Sequence, residues 1–188
     1  TRALPLEKGK SKALSFLPLC HVYERTGIYV YLLNGVGIYF AESIDKIGDN
    51  LKEVNPHFFN TVPRLLEKVY DKIIAKGNDL TGVSKKLFFW AVELGLKYDT
   101  QENQGAWYNM QLALANRLIF SKWREALGGN IIAISCGSAA LQTRLKRVFW
   151  AGNIKIVEGY GLTETSPVIT ASIPTVEGVR FKSVGNTI

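Results

Sequence analysis

Short apolar runs that alternate with amphipathic segments constrain the fold of this chain more than any other feature. The runs have the length of buried strands, and the segments between them have apolar residues three and four positions apart, the spacing of one helix face. Strands that alternate with helices indicate a mostly parallel sheet, because parallel neighbours need long crossovers. The predicted strands cover residues 14–19, 37–41, 57–62, 131–135 and 154–157. The sequence therefore predicts an α/β fold in which helices flank a mostly parallel sheet.

The helical segments have clear ends. We predict helices over residues 25–34, from a cap at Ser43, from Pro63 to Gly77, and over 84–97 and 106–127. A further helix follows residue 140. Three of these segments have an assigned apolar face. It consists of Ile44, Ile47, Leu51 and Val54 in the first, of Leu65, Leu66, Val69, Tyr70, Ile73 and Ile74 in the second, and of Leu141, Leu145, Val148 and Phe149 in the third. The outward face of the last helix is predicted to carry Arg144, Lys146 and Arg147.

Charge and cysteine usage narrow the class of protein. The net charge is +7, but the 23 Lys and Arg residues are scattered among 16 acidic ones, and no nucleic-acid-binding motif is present. We therefore expect no nucleic-acid partner, with a basic nucleic-acid- or membrane-binding module as the rival class. Cys20 and Cys136 are far apart and form no C-x-x-C pattern, so they indicate free thiols and a cytoplasmic location.

Two loops of small residues each follow a predicted strand. One turn contains Gly137, and the other loop begins at Gly159. Ligands of parallel sheets bind beyond the carboxyl ends of the strands, so both loops are expected to border one crevice. In the second loop Tyr160 offers a flat face for a purine, and a hydroxyl and a carboxylate follow within four residues. From the residues alone, a nucleotide site and a tight turn with an exposed Glu remain equally open.

Four segments carry a resemblance to a known family. Residues 160–164 read Y-G-L-T-E and match the Y-G-x-T-E motif of the adenylate-forming superfamily. Residues 17–25 resemble the P-L-x-H-x-x-E-R segment of long-chain acyl-CoA ligases, and residues 61–70 resemble their V-P-R-x-x-E-K segment. Residues 135–141 resemble their small-residue turn. The chain thus resembles a long-chain fatty acyl-CoA synthetase from about residue 14 onward.

The resemblance implies an adenosine site and a catalytic site. In the first, the small-residue turn would lie along the adenosine, the residue before G-Y-G would meet the adenine amino group, and Tyr160 would stack on the ring. The implied nucleotide-binding residues are Gly137, Ser138, Ala139, Glu158, Gly159, Tyr160, Gly161, Leu162 and Thr163. In the second, Thr163 would touch the α-phosphate, Glu164 would hold Mg²⁺, and His21 would lie near the carboxylate that is activated.

The implied activity is that of a fatty acid:CoA ligase. Such an enzyme uses ATP and Mg²⁺ to convert a fatty acid to acyl-AMP, and then transfers the acyl group to coenzyme A. A medium-chain or aryl acid ligase is the alternative within the class. Association with the inner face of a membrane and a homodimer are further expectations about its partners.

The resemblance also implies a domain assignment. Residues 1–188 are expected to form one fragment of the N-terminal AMP-binding domain. The phosphate loop would lie upstream of Thr1, whereas the ribose-binding Asp and the C-terminal domain would lie beyond Ile188. We therefore expect the fragment alone to be inactive.

Overall fold

A seven-stranded sheet forms the centre of the computed structural model, which describes residues 6–187. The strands are β1 (Lys12–Ser15), β2 (Gly37–Phe40), β3 (Phe58–Thr61), β4 (Ala133–Cys136), β5 (Ile156–Tyr160), β6 (Thr170–Ala171) and β7 (Asn186–Thr187). They lie in the order β2-β1-β3-β4-β5-β6-β7. All pairs from β2 to β5 are parallel, and the last two pairs are antiparallel. The predicted mostly parallel α/β fold is confirmed.

Helices cover both faces of this sheet. They are α1 (Val22–Leu33), α2 (Ile47–Val54), α3 (Pro63–Asp79), α4 (Gly82–Lys97), α5 (Gly105–Ala115), α6 (Ser121–Ala126) and α7 (Thr143–Ala151). Helix α1 packs on one face, where the rings of Tyr31 and Phe58 meet edge-on with centres 6.0 Å apart. Helices α2 to α7 contribute to the larger core on the other face.

Alternating side chains along the strands supply these two cores. One set packs with Tyr31 of α1: Ala13, Phe58 and Ala133. Their chain neighbours are buried in the larger core: Leu14, Phe59 and Ile134. Successive side chains of a strand point to opposite faces. A sheet covered on both faces therefore requires the nearly continuous apolar runs that the sequence contains.

Several elements begin or end away from their predicted limits. Strand β1 lies two residues earlier than predicted at its start, and α1 already begins at Val22. Helix α3 continues through Gly77, which was predicted to end it. A Cβ at Gly77 would overlap the ring of Phe88 on α4, so this glycine permits close helix packing and does not terminate the helix.

The segment after Ser43 is also less regular than predicted. Residues Ile44–Lys46 form a single 3₁₀ turn before α2, and the Ser43 hydroxyl makes no capping hydrogen bond. Ile47 and Leu51 are buried as expected, but Ile44 is 71% exposed. The prediction that Ile44 faces inward is wrong. A 3₁₀-helix has three residues per turn, so its side chains point in different directions from those of an α-helix.

The predicted helix over residues 106–127 has an irregular middle. Helices α5 and α6 are joined by a π-helical turn, Asn116–Phe120. There the Asn116 side-chain amide donates to the Ala151 carbonyl at 2.7 Å, and Arg124 donates to the Gly152 carbonyl at 2.7 Å. These contacts satisfy carbonyls at the end of α7, which helps to explain why the ladder departs from regular geometry at this point.

The outward face predicted for α7 is wrong at Lys146. Arg144 is exposed, but the Lys146 side chain is only 4% exposed and forms an ion pair with Glu158 of β5. Arg147 is half-buried and donates to the Asp99 carboxylate at 2.7 Å. Helical periodicity assigns a lysine to solvent, because it cannot detect a buried counter-charge on a strand elsewhere in the chain.

Large apolar side chains remain exposed on α1 and α5. Leu32 and Leu33 on α1 are 62% and 83% exposed. An exposed row follows α5 into the π-helical turn: Trp107, Met110, Leu114 and Leu118. Contiguous apolar surface of this kind marks contact sites. Among residues 6–187, no helix combines the length and the apolar character needed to cross a bilayer.

A buried carboxylate ties the first turn of α1 to the sheet. Glu24 is 1% exposed and accepts hydrogen bonds from Ser15 Oγ at 2.5 Å and Asn60 Nδ2 at 3.1 Å. Burial raises the pKa of Glu24 above its ordinary 4.5, and the two hydrogen bonds oppose that rise. Because the folded state holds this proton more tightly than the unfolded state does, stability must fall as pH rises from 4.5 through the raised pKa.

We expect Glu24→Gln to remove this pH dependence. Glutamine keeps the shape, and its amide can accept from Asn60 and donate to Ser15. Relative to the wild type, the variant should therefore gain stability as pH rises above 4.5. Glu24→Ala should instead cost about 1–3 kcal/mol, since it leaves two buried polar groups without their partner. Urea unfolding of the full-length protein on both sides of the ordinary carboxyl pKa measures these differences.

Glu93→Ala is the matched control, because Glu93 lies exposed on α4. It should change stability by no more than about 0.5 kcal/mol at either pH. A pH profile for Glu24→Gln that parallels the wild type would contradict the role assigned to the Glu24 proton.

Candidate active site

One cleft of about 510 Å³ lies at the carboxyl edge of the parallel strands. Strands β4 and β5 pair in parallel, with Cys136 opposite Glu158, so the loops that follow them leave the sheet side by side. The turn at Gly137 and the loop from Gly159 to Glu164 both line the cleft. The prediction that these two loops border one crevice is confirmed.

The turn after β4 is held close to α1. The Tyr23 hydroxyl lies 2.7 Å from Ser135 Oγ, and the Gly137 amide donates to the Thr61 carbonyl of β3 at 3.1 Å. A Cβ at Gly137 would approach Tyr23 Cζ to 2.8 Å, so a side chain there would displace the ring. Ser138 has a φ of 70°, a left-handed conformation that is uncommon outside glycine and often marks functional turns.

Burial governs the chemistry of the groups beneath this turn. It raises the pKa of the Tyr23 phenol well above its ordinary value, so Tyr23 remains protonated as a hydrogen-bond partner of Ser135. Burial, together with the charge of Glu158, raises the pKa of the Cys136 thiol to about 12. Cys136 is therefore a packed thiol and not a nucleophile.

The loop after β5 turns sharply against the segment that returns to the sheet. The Ile169 amide donates to the Tyr160 carbonyl at 2.9 Å. A Cβ at Gly161 would overlap the Pro167 carbonyl, so this position accepts only glycine without a shift of the backbone. The Leu162 amide donates to Thr165 Oγ1 at 2.9 Å, which closes a short 3₁₀ turn, Thr163–Thr165.

This construction exposes the polar groups of the loop to the cleft. The Tyr160 side chain is 51% exposed although its backbone belongs to β5. Thr163 and Glu164 are exposed and line the same cleft. An aromatic face, a hydroxyl and a carboxylate are thus available to a ligand.

His21 lies at the N-terminal cap of α1. Its Nδ1 accepts a hydrogen bond from the Tyr23 amide at 3.2 Å, which caps the helix. In the neutral ring the proton is therefore on Nε2, which makes no hydrogen bond within the described residues 6–187. His21 is exposed and lines the cleft with the predicted loops.

Glu158 borders the cleft with its carboxylate turned away from it. The side chain is 6% exposed, pairs with Lys146 and accepts from the Leu141 amide at 2.7 Å. The Glu158 carbonyl accepts from the Ser172 amide at 2.8 Å. The alternation of β5 sends this carboxylate to the same face as Ile156, toward α7.

Most of the predicted site residues line this cleft. Those that do are His21, Gly137, Ser138, Glu158, Gly159, Tyr160, Gly161, Leu162, Thr163 and Glu164, whereas Ala139 does not. The cleft also includes residues that the sequence reading missed, namely Val22, Tyr23, Val30, Phe58, Ser135, Val157, Pro167, Val168, Ala171 and Ser172. Tyr23 could have been found, because it stands two positions after His21 within a recognised motif.

The missed residues give the cleft an apolar part. Among the lining residues, Val30 of α1 is half-buried and Phe58 of β3 and Val157 of β5 are buried, whereas the residues from Tyr160 to Glu164 are exposed. The cleft therefore combines a polar rim with an apolar interior, the usual construction of a small-molecule site.

Glu164 provides one candidate metal ligand. Within residues 6–187 no three His, Cys, Asp or Glu side chains converge as a metal site would require. A single exposed carboxylate fits Mg²⁺ nevertheless, because this ion is commonly held by one or two carboxylates, water and the phosphates of a substrate. It does not fit a site built from protein ligands alone.

The fold and cleft define an α/β ligand-binding domain whose site lies beyond parallel strands, and known proteins share this arrangement. The family model "AMP-binding enzyme" matches residues 2–188. The chain is 32% identical over 181 residues to the long-chain-fatty-acid–CoA ligase ACSBG2 of Xenopus laevis, covering 93% of this chain and 24% of that protein. It is 32% identical over 162 residues to the peroxisomal long chain acyl-CoA synthetase 6 of Arabidopsis thaliana, covering 84% and 22%.

A solved structure agrees on the fold. The o-succinylbenzoate CoA synthetase of Bacillus subtilis aligns with a TM-score of 0.61 and 12% identity, over 98% of this chain and 28% of that one. The chain belongs to the AMP-binding enzyme family. It spans about a quarter of the length of the curated relatives that it matches.

We expect Gly161→Ala to weaken AMP binding. The added Cβ would overlap the Pro167 carbonyl, and overpacking of this kind costs about 1–3 kcal/mol. If the loop shifts to relieve the overlap, the dissociation constant for AMP should rise about tenfold or more. Isothermal titration of the full-length protein with AMP measures the change.

Gly48→Ala is the control. Gly48 lies in α2 and a Cβ there would meet nothing within 4 Å. This substitution should leave AMP affinity unchanged and raise stability by about 0.5–1 kcal/mol, because alanine suits a helix better than glycine. Equal AMP affinity for Gly161→Ala and the wild type would contradict a binding role for the loop.

Proposed function

We propose that this chain carries part of the active site of an AMP-forming long-chain fatty acid:CoA ligase. The observation that carries the proposal is the convergence of the Y-G-L-T-E loop, the small-residue turn and His21 on one cleft with an apolar interior. The names of the relatives support the same substrate class. The proposed reaction joins a fatty acid to AMP and then moves the acyl group to coenzyme A.

The adenosine would lie between the two loops. Tyr160 offers its exposed ring for stacking, and stacked rings are favourable at this kind of site. Gly137 and Ser138 also line the cleft, and the absence of a large side chain there permits close approach of the ligand to the backbone. At Glu158 an adenine contact would come from the second lone pair of the backbone carbonyl, which already accepts from the Ser172 amide, because the carboxylate is engaged elsewhere.

The phosphates would lie at the end of the loop. The Thr163 hydroxyl would donate to the α-phosphate, and Glu164 would hold Mg²⁺ together with the phosphate oxygens. When bound, the ion supplies positive charge that offsets the repulsion between two anionic reactants. The residues of this chain keep the α-phosphate within reach of the substrate carboxylate, which is catalysis by orientation.

The fatty acid would enter from the side of α1. Its carboxylate would lie near His21, whose Nε2 proton is available to a carboxylate oxygen. Its hydrocarbon chain would begin in the apolar part of the cleft, lined by Val30, Phe58 and Val157. After acyl-AMP has formed, the thiol of coenzyme A would displace AMP, a good leaving group.

The length of the relatives supports the domain assignment. The chain corresponds to 24% of one relative and 22% of another, so we propose that residues 1–188 are one part of an N-terminal AMP-binding domain. Other segments of the protein would supply the phosphate loop, the ribose-binding Asp and the C-terminal domain.

The free cysteines support a reducing, cytoplasmic location for this part of the enzyme. Cys20 is exposed and Cys136 is buried, and neither forms a disulfide. Contact with the inner face of a membrane stays a prediction, for which the exposed row from Trp107 to Leu118 is a suitable surface. The homodimer also stays a prediction.

Glu164→Gln separates the two half-reactions. Glutamine keeps the shape and removes the negative charge, so formation of acyl-AMP should slow by about 10²–10³, the loss typical of one electrostatic contributor. Transfer from synthetic acyl-AMP to coenzyme A should slow much less, because that step uses no triphosphate. Separate assays of the two half-reactions with the full-length enzyme measure both effects.

Glu177→Gln controls for the loss of an exposed acidic group, since Glu177 is exposed and does not line the cleft. It should leave both half-reactions at wild-type rates. Equal slowing of both steps by Glu164→Gln would show that Glu164 maintains the loop, and an unchanged first step would remove Glu164 from the site.

A further inference from the structure

A buried ion pair lies directly behind the cleft. The side chains of Lys146 and Glu158 are 4% and 6% exposed. The free energy needed to remove two charges from water is about as large as the free energy gained from their attraction. A buried ion pair is therefore weak evidence for a gain in folding stability. The position of the pair points to a different role.

The Glu158 carboxylate connects three elements. One oxygen contacts Lys146 Nζ on α7, and the other accepts from the Leu141 amide at 2.7 Å. Leu141 ends the small-residue turn after β4, and Glu158 itself immediately precedes Gly159. A single carboxylate therefore links α7 to both loops that line the cleft.

We propose that Glu158 and Lys146 are positioning residues that hold the two nucleotide loops at a fixed separation. The inference rests on the proposed binding of the nucleotide between these loops. The carboxylate faces α7 and acts through the backbone of Leu141 and Gly159. Lys146 keeps that carboxylate oriented toward α7, since a buried charge without its partner would rotate toward water.

The same helix provides a matched control. Arg147 follows Lys146 and donates to the Asp99 carboxylate and the Tyr98 carbonyl at 2.7 and 2.8 Å. This second pair also ties α7 to another segment, but none of its members lines the cleft. Loss of Arg147 therefore reproduces the loss of a partly buried ion pair of α7 without disturbing the nucleotide loops.

Two double variants separate the hydrogen bond from the charge. Lys146→Met with Glu158→Gln leaves no buried charge and keeps an acceptor for the Leu141 amide. Lys146→Met with Glu158→Leu also leaves no buried charge but removes that acceptor. Replacement of a buried pair by apolar residues is often tolerated, so both variants should fold.

The experiment measures AMP affinity by isothermal titration, and the urea unfolding midpoint, for the full-length protein and its variants. Lys146→Met and the Leu-containing double variant should bind AMP about 10–100-fold more weakly, the loss typical when a partner that orients a binding group is removed. The Gln-containing double variant should recover most of the affinity. Arg147→Met should lower the unfolding midpoint and leave AMP affinity at the wild-type value.

The outcomes are distinguishable. If the wild type itself does not bind AMP, the proposed function fails. If the wild type binds AMP and the two double variants bind it with equal affinity, the link from Glu158 to Leu141 does not position the loops. An Arg147→Met variant that loses as much affinity as Lys146→Met would likewise overturn the inference, because the effect would then follow from the general loss of an ion pair on α7.

Discussion

The parallel pairing of β4 with β5 is the contact on which the cleft depends. Ile134, Ser135 and Cys136 lie opposite Ile156, Val157 and Glu158, so β4 ends where its pairing with β5 ends, and β5 continues two residues further to Tyr160. Parallel strands send their following loops from one edge of the sheet, and a ligand there meets backbone from two distant parts of the sequence. The helix between them, α7, must pack across one face to return the chain. The relative position of the two loops therefore depends on the whole β4-α7-β5 unit.

Polar contacts behind the cleft complete this unit. The strand alternation that separates the two cores also directs Asn60 and Ser135 toward α1, and Glu158 toward α7. Each of these side chains finds a hydrogen-bond partner, Asn60 and Glu158 in buried positions and Ser135 in a half-buried one, where an unpaired polar group would be costly. On the α1 side, hydrogen bonds to Glu24 and Tyr23 fix the helix that begins at His21. On the other side, Lys146 and Leu141 fix the loops.

Exposed and buried polar groups consequently have different tasks. The side chains of Tyr160, Thr163 and Glu164 are exposed and line the cleft. Within residues 6–187 they make no hydrogen bonds to other protein groups. Glu24, Lys146 and Glu158 are engaged by protein partners and closed to solvent. The exposed side chains are available to a ligand, whereas the buried ones hold the elements that form the cleft in place. Preorganised polar groups of this sort are what the proposed reaction between two anions would require.

The sequence by itself determined the α/β class, the order along the chain of the five parallel strands and the helices between them, and the loops of the cleft. It did not predict the two short antiparallel strands β6 and β7. Periodicity and short motifs are local signals, and they were sufficient for the loops at Gly137 and Gly159 and for the choice of His21 as a cleft residue. The start of α1 was predicted three residues too late. Tertiary structure alone decided where Glu158 and Lys146 point, why Gly77 lies within a helix, and which apolar side chains line the interior of the cleft. The physical reason is that a strand side chain takes its partner from an element far away in the chain. Lys146 has no acidic partner nearby in the sequence, so periodicity predicts that it is exposed. Only the folded sheet shows that Glu158 lies beside it in a buried position.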